Sequence, residues 1–468
     1  MFNRTITTWR LAVMAPLALA LSGCVLRPAG TDEERAKLDR VGTSFERPYE
    51  QRELPELPAD PAWRDVLHRA FLANGDLEVA YFNWKAAVHR IDMAAAYPNT
   101  NLSLGFEYMF SSESMKSWDR TTVTAQPDPM ANLAFPTKVK QAGRIALAEA
   151  QAAGERFRSA KFELQRQVLT AWTDYAAMAE QVRVARENLA LLKLLAETAD
   201  NRVRAGAPQQ DLLKAQIELQ MAENELGTME SRLPQMRAML NAMLGRASDA
   251  PLPPPATLPA PRPLFGTDAE LIEAAVDQNP ELAALSRDVQ GRRDALELAR
   301  MRYIPDINPV AGFTGSIEQF VGAMVSIPTA LPMIRAQTQE ARADLRRMQA
   351  MQRQSKLERG AAFVSALYAM RNGERQITVF RDRILPAAEL ALDNSRQSYA
   401  AGSVSFVELI DSQRTLLEVR LMIAEAVAAR ERSLAELEAL AGIDVETLES
   451  RSSTTVPATR GTEVHSHD

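Results

Sequence analysis

Hydrophobic positions along the chain follow two periods that alternate and then repeat. From about Asp60-Pro61 to Tyr97-Pro98 the spacing is helical, with Asp60 as the expected N-cap and Pro61 at the first helical position. A stretch of period two follows, and then a very long helical stretch from about Lys138 to Arg204, which ends at Ala205-Gly206. A returning helix carries leucine every seven residues, at Leu212, Leu219, Leu226, Leu233 and Leu240. Ala215, Ala222, Met229, Met236 and Met243 recur three positions further on, completing the apolar seam of a left-handed coiled coil. Pro234 removes a ladder bond in this helix and is expected to kink it.

The same order recurs after a proline-dense linker, Pro251 to Pro263. Thr267-Asp268-Ala269-Glu270 reads as a capping box, opening a helix that runs to Ile304-Pro305. A second long helix is expected from about Met333 to Ala400, closed by Ala401-Gly402, and Leu409, Leu416 and Ile423 resume the heptad. Ala70, Asn74 and Leu77 match Ala275, Asn279 and Leu282 at a constant offset. Val168 and Trp172 answer to Val364 and Tyr368, Ala205-Gly206 to Ala401-Gly402, and Leu244-Gly245 to Ala441-Gly442. A duplication of this extent decides the fold more firmly than local propensity does. At 1.5 Å per residue each long helix reaches about 100 Å, and the paired short helices, about 36 residues each, match that length end to end. The pattern therefore implies a helical rod built from two copies of one unit, spanning residues 61–245 and 267–443 with 246–266 as linker. Residues 24–60 form a lead segment and 444–468 a polar tail.

The period-two stretches are candidate strands. Leu102, Leu104, Phe106, Tyr108 and Phe110 face one way, and Asn101, Ser103, Gly105 and Glu107 the other. Ten tilted residues cover about 23 Å, near the ~25 Å apolar band of an outer-membrane barrel. The partner strand falls between Thr121 and Phe135, interrupted by Pro127 and Pro129. The second half offers Val310 to Ile327, a short hairpin of about eight residues per strand. Four strands cannot close a barrel, which needs about eight. Either several chains pool their strands, or the hairpins cap the rod without entering lipid.

Composition narrows the field further. Of the 468 residues 46% are apolar and 6% aromatic, with 20 Gly, which suits long helices rather than a β-sandwich or propeller. A formal charge of −6 gives no basic surface for nucleic acid. One Cys and four His exclude a disulfide framework or a cysteine-rich zinc site. No nucleophile elbow, phosphate loop, metal-ligand spacing or dinucleotide fingerprint is present, so no enzyme activity is expected. The 19 Met admit a soft-metal reading, but many sit on the heptad seam, where methionine fills gaps. His465-Ser466-His467-Asp468 reads as a polar tail rather than a metal site, and no cofactor or metal is expected.

The N-terminus explains the single cysteine. Arg4 and Arg10 precede an apolar run from Leu11 to Leu21, too short to span ~30 Å of hydrocarbon. It ends in Leu21-Ser22-Gly23-Cys24, which resembles the lipobox of bacterial lipoproteins. That resemblance implies a signal peptide over residues 1–23, acylation of Cys24, and a mature chain of net charge −8, with 52 basic and 60 acidic residues. Val25 follows the cysteine where an inner-membrane retention signal would place Asp, so an outer-membrane location is expected.

Ile384-Leu385-Pro386-Ala387-Ala388, Tyr399-Ala400-Ala401-Gly402 and the run from Phe406 to Leu416 resemble the second-repeat signature of the TolC-like outer membrane factor family. Trp63, Asn74, both glycine turns and the Leu-Gly and Ala-Gly helix ends extend the resemblance over nearly the whole mature chain. It implies a mainly α fold, in which duplicated coiled-coil hairpins form an α-barrel tunnel and two short β-hairpins per chain contribute to a trimeric β-barrel. It also implies a homotrimeric passive duct in the outer membrane, docked through a periplasmic adaptor on an inner-membrane pump. The family closes its periplasmic tip with acidic rings six and nine residues after the second-repeat glycine. Here those positions are Glu408 and Asp411, with Asp211 in the comparable place of the first repeat. An exposed helix face carries such acid pairs equally well, and that reading stays open. Gly206, Tyr399 and Gly402 are assigned to the tip turns that meet the adaptor, and Asp382 and Arg383 are candidates to brace the closed tip. Pro208 and a one-residue shortening between Gly206 and Asp211 distinguish the first turn from the second. A lipid-anchored adaptor and a structural coiled-coil lipoprotein remain as alternatives. An adaptor carries one hairpin between β modules, however, and here two hairpins recur.

Overall fold

A computed structural model of the chain describes residues 25–97, 102–110, 115–127, 134–206, 208–255, 257–258, 260–262 and 267–443. Cys24 and the C-terminal histidines lie outside the described residues. The chain divides into two compact units that cut across the two repeats. One takes residues 1–46, 79–157 and 281–355, the other 47–78, 158–280 and 356–468.

The helices are α1 (Thr31–Gly42), α2 (Trp63–Ala73), α3 (Gly75–Ala95), α4 (Pro136–Arg204), α5 (Gln209–Met243), α6 (Asp268–Gln278), α7 (Pro280–Met301), α8 (Leu331–Val379), α9 (Leu385–Ala400) and α10 (Phe406–Ala441). The first short helix does not open at Asp60-Pro61. It begins at Trp63, because the Asp65 carboxylate accepts the Ala62 N–H at 2.9 Å and stabilises the start there. Nor are the short helices continuous. Asn74 ends α2 in extended conformation, and its side-chain oxygen accepts the N–H groups of Asp76 and Leu77, starting α3. Asn279 likewise ends α6, before Pro280, which holds the preceding residue out of the helical region. The Asn74 side-chain amide donates to the Met243 carbonyl at 3.4 Å, and that of Asn279 to the Leu440 carbonyl at 2.6 Å. Each repeat thus uses one asparagine to break its short helix and to satisfy the end of its returning helix.

α4 is continuous over 69 residues, whereas its counterpart is not. α8 passes into α9 through a π turn at Phe380–Ile384, where the Leu385 N–H donates to the Phe380 carbonyl. Pro386 offers no N–H to the Asp382 carbonyl, and the widened turn accommodates that gap. The repeats also part company in burial. Trp172 is buried while Tyr368 is 66% exposed, because Phe363, Leu367 and Met370 carry the core face of α8. The heptad positions of α5 are buried or half-buried, as the seam requires, and the helix continues through Pro234.

In the first unit, aromatic packing joins the N-terminal segment to α3 and α4. The Tyr81 ring stacks on Phe45 at 5.0 Å and Trp84 on Phe157 at 5.7 Å. Trp84 Nε1 donates to Glu34, and Gly154 leaves the room this needs, since a Cβ there would lie 2.9 Å from Trp84 Nε1. The same unit holds one antiparallel sheet in the order β1 (Leu102–Tyr108), β2 (Thr121–Pro127), β3 (Asp306–Thr314), β4 (Glu318–Ser326). The second hairpin is the longer of the two, with nine residues per strand against seven, contrary to the sequence expectation. β3 starts four residues before Val310 and runs through Pro309. That proline is tolerated because β2 pairs only with Ala311 to Thr314 and leaves this part of β3 with β4 alone.

Register sorts the sheet into two faces. Leu104, Ala125, Ala311 and Val321 align across all four strands, and Phe106, Val123 and Phe313 align beside them. Phe106 is 72% and Val321 85% exposed. The opposite face carries Glu107, Thr122, Thr124, Thr314 and Glu318, with Phe320 lying over Gly312. Among the described residues no helix is long and apolar enough to cross a membrane.

Candidate functional site

The candidate site lies within the second unit, where α4 turns into α5 and α9 into α10. Both helices end in a glycine of positive φ, +102° at Gly206 and +78° at Gly402. These are conformations an L side chain rarely adopts, which explains the paired glycines. The Gly206 N–H donates to the Val203 carbonyl and the Ser403 N–H to the Ser398 carbonyl, each at 3.0 Å, closing the two helix ends. Beyond the second turn, Ser405 and Glu408 form a capping box: the Glu408 N–H donates to Ser405 Oγ at 3.4 Å and the Ser405 N–H to the Glu408 carboxylate at 3.3 Å.

One buried cluster supports both turns. Leu192, Leu195, Ala199 and Ala215 of the first repeat pack with Leu392, Tyr399, Phe406, Leu409 and Ile410 of the second. Tyr399 is 1% exposed, its ring set edge-on to Phe406 at 5.6 Å. It therefore supports the turn from inside. Gly206 and Gly402 are exposed.

Arg202, which the sequence reading passed over, ties the two turns together. Its Nη1 donates to the Tyr399 carbonyl at 2.7 Å, and its guanidinium lies 4.2 Å from the centre of the Tyr399 ring. The only sequence signal is a basic residue in the last turn of a helix, where it opposes the helix dipole. Burial raises the pKa of the Tyr399 hydroxyl, the Asp211 carboxylate raises it further, and Arg202 opposes both. The hydroxyl is buried with no hydrogen bond of good geometry, so Asp211 and Arg202 act on it chiefly through charge.

The three predicted acids are unlike one another. Asp211 is half-buried near Tyr399. Glu408 is exposed, and its carboxylate caps α10. Asp411 is exposed, and its carboxylate has no partner among the described residues. Asp382 and Arg383 are exposed and make no ion pair among the described residues. Farther from the turns, Gln413 donates to Asn188, Arg414 pairs with Glu218, and Arg420 pairs with Glu187 and Glu389 at 3.3 and 3.2 Å. Among the described residues no group of three or more His, Cys, Asp or Glu is placed to hold a metal ion.

Comparison with known proteins returns one family model, described as outer membrane efflux protein, which matches residues 66–246 and 271–443. The cobalt-zinc-cadmium resistance protein CzcC of Cupriavidus metallidurans is 24% identical over 389 residues, covering 79% of this chain and 88% of that protein. The probable outer membrane lipoprotein SilC of Salmonella typhimurium is 22% identical, covering 80% and 84%. Among solved structures, CusC superposes with a TM-score of 0.69 at 17% identity, covering 84% of this chain and 96% of that one. The outer membrane protein VceC of Vibrio cholerae gives 0.67 at 14% identity, covering 82% and 96%.

Proposed function

The chain belongs to the outer membrane efflux protein family, and from that premise we propose that three copies form one passive exit duct through the outer membrane. It receives cargo from an inner-membrane pump through a periplasmic adaptor. The observation that carries this reading is the four-stranded sheet, whose outer strands β1 and β4 have no further neighbour among the described residues and whose apolar face is exposed. Unpaired strand edges and an exposed apolar face are costly in a lone chain. Neighbouring copies would pair the edges and lipid would cover the face. Exposed Leu213, Ile217 and Met221 on α5 are further surface for a neighbouring copy to cover.

The duct is gated where the glycine turns lie. Asp411 is the acid best suited to line a constriction, since its carboxylate is committed to nothing else, while Glu408 and Asp211 also serve their own turns. Repeated three times, these carboxylates favour cations and repel one another. Acylated Cys24 adds the membrane tether, and the exposed Gly206 and Gly402 turns meet the adaptor. The metal resistance for which CzcC is named favours metal ions as the cargo. A deletion strain that loses resistance to organic drugs but not to cobalt, zinc or cadmium would count against that cargo.

Single-channel conductance of the purified protein in planar bilayers tests the duct and its gate together. Low, cation-selective conductance that rises in Glu408→Ala/Asp411→Ala is expected. Insertion with no effect of the substitutions keeps the duct and removes the gate assignment; no insertion at all removes the duct.

A further inference from the structure

A cleft of about 600 Å³ in the first unit is lined by Arg27, Gly30 and Asp32 of the N-terminal segment and by Lys140 and Arg144 of α4. Two of its cations are not balanced as the charges nearby are. Lys138 pairs with Asp306 at 2.8 Å, Arg156 with Asp288, Lys85 with Glu46, and Arg27 and Arg35 with Asp92. Lys140 and Arg144, one helical turn apart, make no ion pair among the described residues, and Arg144 bonds only to the Gln141 side chain, at 3.3 Å. Like charges at that spacing repel. The start of α1 lines the same cleft, with Gly30 at φ +96°, and its positive end is offset by Asp32, Glu33 and Glu34 of its own first turn. Two unpaired cations of α4 thus meet Arg27, whose Nε is held by Asp92, in a cleft lined by one carboxylate, that of Asp32.

The surroundings indicate which anion. Lys138 Nζ and the Phe135 N–H both donate to Asp306, the first residue of β3, which fixes the start of α4 at the foot of the sheet. Lys140 and Arg144 follow about 3 and 9 Å further along the helix. Cys24 precedes Arg27 by three residues, a reach of at most about 10 Å. We propose that this cleft binds a phosphate-bearing anion, and that its source is the headgroup of an anionic phospholipid in the periplasmic leaflet. The inference rests on the reading of the sheet as membrane-spanning. The headgroup phosphate sits between Lys140 and Arg144, with Arg27 on its other side, and holds each protomer at a fixed depth beside its own acyl anchor.

The test is native mass spectrometry of the full-length detergent-extracted protein with dioleoyl phosphatidylglycerol or dioleoyl phosphatidylcholine added, run beside bilayer insertion of the same samples. Preferential retention of phosphatidylglycerol is expected, about tenfold weaker in Lys140→Gln/Arg144→Gln and restored in the charge-keeping Lys140→Arg/Arg144→Lys. Insertion with equal retention in wild type and the Gln variant overturns the site while leaving the duct intact. Millimolar inorganic phosphate that binds through the same two residues, with no preference between the lipids, overturns the lipid source. Failure of the wild type to insert overturns both the sheet reading and this one.

Discussion

Arg202 is one side chain serving two turns, so its removal should be felt across both. A hydrogen bond from a charged donor contributes about 1.5–3 kcal/mol, and its stacking on Tyr399 adds about 0.5–1 kcal/mol. Arg202→Ala should therefore open the second turn by about 2 kcal/mol, read as roughly thirtyfold faster amide exchange at Ala401 to Ser403, with little change in the sheet. Unchanged exchange would mean the buried cluster alone holds the turn. Tyr399 makes a separate prediction through pH. Its folded pKa lies above the ordinary value near 10, so folding favours the protonated hydroxyl. The stability this group contributes is complete below about pH 10 and is lost as pH rises through the raised folded value. Tyr399→Phe should lose less thermal stability than wild type between pH 8 and pH 11, and parallel losses would refute the assignment. The glycines of these turns were legible in the sequence because positive φ selects for them. Arg202 was not, since a lone basic residue near a helix end carries no long-range information, and its first-repeat position has no basic counterpart in the second.

Elements in this chain are joined by asparagine and by a strap of linker. Asn279 is buried and donates at 2.6 Å to the last turn of α10, whereas Asn74 is half-buried and donates at 3.4 Å. Leaving a buried carbonyl unsatisfied costs about 1–3 kcal/mol. Asn279→Ala should therefore destabilise the protein by about 2 kcal/mol and Asn74→Ala by less, in denaturation midpoints of the two variants; the reverse order would break the argument from burial. The linker is fastened in the same region. Arg262 bonds to Glu431 at 3.1 Å and Glu438 at 2.9 Å, all three nearly buried, and Leu258 packs against the cluster of Ile377, Ala426 and Val427. Arg262→Ala leaves buried carboxylates with a partner removed and should cost about 3 kcal/mol, visible as a lowered denaturation midpoint. The first long helix and the heptad seam could be read from periodicity, and the Thr267 capping box from its motif. The breaks at Asn74 and Asn279 could not, because the helical period runs on across both, and the second half of each asparagine's work is on a carbonyl more than 160 residues away. Nor could the length of β3, where a proline usually taken as a strand end is admitted by the absence of a neighbour.

At the scale of the whole molecule, the sheet's two faces make opposite demands on the same substitution. Duplication and alternation made the existence of both hairpins legible, but the faces emerge only once register aligns four strands, the outer two of which lie more than 200 residues apart. Val321 sits near the middle of β4 on the exposed apolar face, in register with Ala311, while Thr124 sits mid-strand in β2 on the opposite face, beside Gly105. If the apolar face meets lipid, an arginine at Val321 is carried into hydrocarbon in every copy, at about 2–4 kcal/mol each near the midplane. An arginine at Thr124 points instead into the hydrated interior, where the absent side chain of Gly105 leaves it room. Val321→Arg should therefore sharply reduce insertion into lipid vesicles, while Thr124→Arg inserts normally and shifts conductance away from cations. Equal loss of insertion in both would mean that the face assignment is wrong. Normal insertion of both would mean that the sheet caps the helices without entering lipid. Because the two substitutions add the same charge at similar depth, only the direction in which the side chain points can separate them.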